Sequence, residues 1–134
     1  MNIGAMLALT TTGLTGSFLL ATWVGMGGHQ RDAANPSRLP NAIVFSHAGF
    51  ASASFVLWLF YVVLQTSALA WTAGAIVLVV IALGVGMFFR WLPQPHHPVA
   101  TPTAEQELSV AAVAIHGVLA TATAVLVVLA IVRI

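Results

Sequence analysis

The sequence has no cysteine and no lysine. Without thiols there is no disulfide framework, no thiolate zinc site, no CxxC redox pair and no covalent attachment of c-type haem. Charge of either sign is scarce: only 5% of the 134 residues are charged, and the net charge is +1. A soluble domain carries about 25% charged residues, so this chain cannot cover itself with a hydrated surface. No basic patch or stripe is present, which excludes a surface that tracks nucleic-acid phosphates. A nucleophile–base arrangement, a phosphate loop and paired carboxylates in apolar segments are also missing. Loops too short for a soluble catalytic domain add to the expectation of a protein that is not an enzyme by itself. Any chemistry then belongs to a cofactor that the protein positions.

What is present is apolar. Hydrophobic residues make up 60% of the chain, and mean hydropathy is +1.01. Four segments, about 3–26, 42–64, 68–89 and 108–132, are each long enough to cross a bilayer core, which needs about 20 residues. No basic side chain precedes Arg31, so the first segment reads as an uncleaved span and not as a secretory signal. Between the spans lie a polar loop at 27–41, a tight Gln65-Thr66-Ser67 turn and a proline-rich connection over 90–107. The expected fold is all-α: one domain, a four-helix transmembrane bundle, with lipid as its surroundings. Gly13, Gly16 and Gly74 offer close-packing surfaces, and a homo-oligomer or a second membrane protein is the expected partner. Arg31, Arg38 and Arg90 lie at the first and third connections, whereas Arg133 lies at the opposite end. The positive-inside rule then puts those connections in the cytoplasm and both termini outside.

One stretch occurs twice. Residues 47–57 read HAGFASASFVL and residues 116–126 read HGVLATATAVL. On a helix, positions i, i+4 and i+7 share a face. One stripe therefore carries His47, Ala51 and Ser54, and the other carries His116, Ala120 and Thr123. The pairs ATWVGM at 21–26 and ALGVGM at 82–87 extend the likeness and suggest a parallel duplication of a helix pair. Both histidine-bearing spans enter from the same side, so His47 and His116 fall in one leaflet, roughly 7 and 12 Å deep at about 1.5 Å per residue.

Ionisable side chains inside a bilayer are costly and usually face the bundle or a partner. Three readings are open for the two histidines. In the first they hydrogen-bond across the bundle and only hold helices together, as in a cofactor-free structural or regulatory subunit of a membrane complex. In the second they are the two axial ligands of one haem b, since imidazole is an ordinary ligand of haem iron. Gly49, Gly84, Gly86 and Gly117 then supply small surface for a flat macrocycle, and Arg31, Arg38 and Arg90 are candidates to pair with its propionates. In the third they belong to a proton, ion or metal relay or transporter.

With histidines on the second and fourth spans, the chain resembles the four-helix b-type cytochromes. In that family the histidines of those two helices clamp haem between diagonal helices, and glycines line the other two. The resemblance implies an electron-transfer subunit of a larger membrane assembly, with His47 and His116 on the iron and Gly84 and Gly86 as helix-three counterparts. No second histidine pair is present in the other leaflet. One haem near one face is implied, and such a protein does not by itself carry electrons across the membrane.

The remaining signals are weaker. His29, His96 and His97 match no closed metal site and read as solvated loop residues, near Asp32, Glu105 and Glu107 at the surface. Thr103-Ala-Glu-Gln106 has the form of a capping box opening the fourth helix. Trp23, Trp71 and Trp91 are expected as interfacial anchors, with Trp58 deeper and packed.

Overall fold

The structure is a computed structural model, and it describes residues 2–30, 37–92 and 103–133. Four helices make it up: α1 (Asn2–Gly25), α2 (Asn41–Leu64), α3 (Ser67–Trp91) and α4 (Val110–Ile131). Each is long and apolar enough to cross a membrane, as a multi-pass membrane protein requires. The outer faces are apolar: Leu14 is 67% and Val118 70% exposed. In hydrocarbon that is the favourable arrangement, and helix association rests on close packing and interhelical hydrogen bonds.

The helices are placed by their ends. Pro40 precedes α2 in extended conformation, where a missing N–H costs nothing. Gln65 ends α2 in the left-handed region (φ 54°), its N–H returning to the Tyr61 carbonyl, and α3 begins two residues later. This turn makes α2 and α3 antiparallel neighbours. Ser109 caps α4 by accepting from the Ala112 N–H. Around the bundle α1 touches α2 and α4, and α3 touches the same two. The pairs α1–α3 and α2–α4 are therefore the diagonals.

The start of α4 differs from the expected one. Thr103–Gln106 forms half of a capping box, the Gln106 side chain accepting from the Thr103 N–H at 3.0 Å, but it closes an isolated turn before the helix. Glu105 is neither in a first helical turn nor at the surface. It is fully buried, and its carboxylate accepts from Ser37 Oγ at 3.0 Å and from the Arg38 N–H. The Arg38 Nε lies 3.7 Å away. Three polar groups of the first loop outcompete the dipole of a solvated helix end, so the third connection is tied down across the first. Trp23 likewise departs from an interfacial role. It is 2% exposed and lies flat on Gly28, where any side chain would collide with its indole.

Two separate cores result. At the end holding the termini and the short turn, Ala5, Trp58, Tyr61, Ala70, Ala73, Val127, Ala130 and Ile131 pack together. There Gly74 lets Ile131 press against the α3 backbone. At the loop end Trp23, Leu39, Val44 and Ala104 form a smaller cluster. Between them no residue is fully buried: none on α1 from 6 to 22, on α2 from 45 to 53, on α3 from 78 to 91 or on α4 from 110 to 122. The packed interior is interrupted across one band of the bundle.

Candidate functional site

His47 and His116 lie in that band. Each is the seventh residue of its helix, α2 and α4 respectively. Both helices start at the loop end, so the two side chains stand at one depth, about 9 Å in at about 1.5 Å per residue. The unequal depths expected from the sequence reflected an early start for the fourth helix. Across the diagonal the two imidazole rings meet, with centroids 6.4 Å apart and planes at 70°.

Each ring is oriented through Nδ1. His47 Nδ1 is 3.0 Å from the Val80 carbonyl of α3. A carbonyl only accepts, so His47 donates from Nδ1. His116 Nδ1 is 3.1 Å from Thr15 Oγ1 of α1. The Thr15 hydroxyl gives its own hydrogen to the Thr12 carbonyl at 2.9 Å, so it too accepts from the ring. Both histidines therefore carry Nδ1–H and present a bare Nε2 lone pair. Neither Nε2 has a hydrogen-bond partner among the described residues. A histidine that donates from one ring nitrogen to a carbonyl or other acceptor and offers the other is in the form that ligates metals.

Two glycines let the rings reach these acceptors. In a helix the side chain at i+4 lies over the turn that holds residue i. The residues four past Val80 and Thr12 are Gly84 and Gly16. A Cβ on Gly84 would stand 3.1 Å from the His47 ring, and one on Gly16 3.0 Å from the His116 ring. The two halves thus repeat one cradle: a histidine, a glycine on the neighbouring helix and an acceptor beside that glycine. Deeper along the same stripes, Ser54 donates to the Ala73 carbonyl of α3, and Thr123 bonds Thr12 of α1 at 2.8 Å.

Of the glycines expected near the pair, only Gly84 touches a histidine. Gly49, Gly86 and Gly117 lie on exposed faces with open space where a Cβ would be. Gly16, expected only as packing surface, is the counterpart of Gly84 beside His116. Its signal is in the spacing: Gly16 and Gly84 are 68 positions apart, close to the 69 that separate the histidines. Arg90 is exposed in the last turn of α3. Arg38 sits at the loop end beside Glu105, and its buried Nη2 has no hydrogen-bond partner among the described residues. Arg31, Asp32, His96 and His97 lie outside the described residues. His29 is in the first loop, where its carbonyl accepts from the Asn41 side chain at 2.8 Å. Among the described residues no group of three or more metal-ligating side chains exists. The pair offers two nitrogens and, among the described residues, no third protein ligand.

Compared with known proteins, the chain matches no family model, no curated protein and no solved structure.

Proposed function

We propose that the bundle holds one haem b between α2 and α4, with Nε2 of His47 and of His116 as the axial ligands, and serves as an electron-transfer subunit of a membrane assembly. One observation carries this reading: two imidazoles, each held through Nδ1, meet across the diagonal with ring centroids 6.4 Å apart. Two imidazoles on opposite sides of one metal ion, at about 2 Å per metal–nitrogen bond, have ring centres roughly 6 Å apart. The interrupted core supports the reading, because a macrocycle needs width that packed side chains would deny it. A porphyrin also brings four nitrogens of its own, so two protein ligands are sufficient.

When bound, haem supplies a one-electron carrier. The chain's own residues do the rest. His47 and His116 hold the iron, the Val80 carbonyl and the Thr15 hydroxyl orient them, and Gly84 and Gly16 admit the rings. Arg38, with N–H groups to spare at the loop end, is the arginine best placed to pair with a propionate. Held by these residues about 9 Å from the loop end, the group would exchange electrons on that side, which by the arginine distribution would be the cytoplasmic one.

The cross-bundle hydrogen bonds of both histidines are also what a packing role requires. Haem binding separates the two readings. Purified protein supplied with haem should show a Soret band and the spectrum of low-spin, six-coordinate iron. His47→Ala and His116→Ala should each abolish the low-spin signal, whereas His29→Ala should leave it intact. Protein that stays colourless with haem in excess refutes the proposal, and the two histidines are then helix-packing residues.

A further inference from the structure

The two cradles differ at one place. Beside Gly84 the preceding residue is Leu83, and His47 has the Val80 carbonyl as its acceptor. Beside Gly16 the preceding residue is Thr15, whose hydroxyl stands between the His116 ring and the helix. We infer that Thr15 is a positioning residue which fixes the tautomer of His116 and makes it the weaker and adjustable ligand of the pair, an inference that rests on the haem reading only for its second half. The hydroxyl accepts from Nδ1 while donating to the Thr12 carbonyl. This forms a short polarised chain from imidazole to hydroxyl to carbonyl. A hydrogen bond from Nδ1 raises the basicity of a ligating histidine. An amide carbonyl is the stronger acceptor, so His47 is the more basic ligand and His116 the less.

Thr15→Val tests this with little change of shape. A methyl in place of Oγ1, 3.1 Å from Nδ1, removes the acceptor. Thr15→Ser keeps the hydroxyl. The first measurement uses full-length, haem-free protein in detergent with 15N-labelled histidine, read by imidazole nitrogen shifts. Wild type should show His47 and His116 both with Nδ1–H. Thr15→Val should move His116 toward the Nε2–H form and leave His47 unchanged, and Thr15→Ser should restore the wild-type pattern. An unchanged His116 in Thr15→Val, or a wild-type His116 with Nε2–H, overturns the inference whether or not haem binds. In the haem-loaded protein Thr15→Val should raise the midpoint potential, because a less basic ligand stabilises ferric iron less, and should let carbon monoxide displace His116 from the reduced form more readily. A loaded variant with wild-type potential and carbon monoxide binding overturns the second half. A wild-type protein that takes no haem refutes the cytochrome reading and the ligand role with it, and leaves the tautomer result standing by itself.

Discussion

At the scale of single residues, glycine decides what the histidines can do. A Cβ 3.0–3.1 Å from an imidazole atom forces the ring or the helix to give way, at a cost of about 1–3 kcal/mol for an overpacked interior site. Gly16→Ala and Gly84→Ala should each lower haem content or haem affinity at least several-fold, measured by titration of the purified protein. Gly49→Ala, Gly86→Ala and Gly117→Ala should leave it unchanged, since each has open space at that position. If all five variants behave alike, the cradle is not what admits the rings. The histidines themselves were legible in the sequence, because a titratable residue repeated in two apolar spans stands out against its surroundings. The glycines were not sorted by proximity in sequence. Gly49 and Gly117 are near the histidines along their own helices but point elsewhere, and the residues that matter are on neighbouring helices. Only the repeat distance linked Gly16 to Gly84, and the hydroxyl of Thr15 had no such signal.

At the scale of elements, the loops explain most of what sequence reading placed differently. Glu105 was expected at the surface, and the Thr103–Gln106 contact does form, but the carboxylate is buried and its partners come from the first loop. No local pattern reports that Ser37 and Arg38 lie across from it. The clasp holds α4 to the entrance of α2, and those two helices carry His116 and His47. Glu105→Ala leaves Ser37 Oγ and the Arg38 N–H without their acceptor in a buried setting. It should destabilise the protein by about 1–3 kcal/mol, read as a lower thermal unfolding midpoint in detergent. An unchanged midpoint would mean that water replaces the carboxylate at no cost.

At the scale of the whole molecule, the four-helix layout follows from composition: so little charge and four long apolar segments leave few other folds. The tight turn after Leu64 makes α2 and α3 neighbours, and with α1 touching α2 and α4, and α3 the same two, α2 and α4 fall on a diagonal. The orientation in the membrane rests on four arginines. A reporter active only in the cytoplasm should work when inserted beside Ala100 and be silent at the C-terminus. The opposite pattern would invert the protein without separating the two histidines, which stay level with each other.

That common level has an electrical consequence. A charge held between the two rings, about 9 Å along α2 and α4 from their first residues, would lie about a third of the way across a hydrocarbon layer about 30 Å thick that begins at those residues, and so a third of the way through the transmembrane voltage. At about 2.3 kcal/mol per charge per 100 mV for a full crossing, such a charge feels about 0.7 kcal/mol per 100 mV. With a haem held as proposed, the energised state of the membrane would therefore bias which way its electron moves.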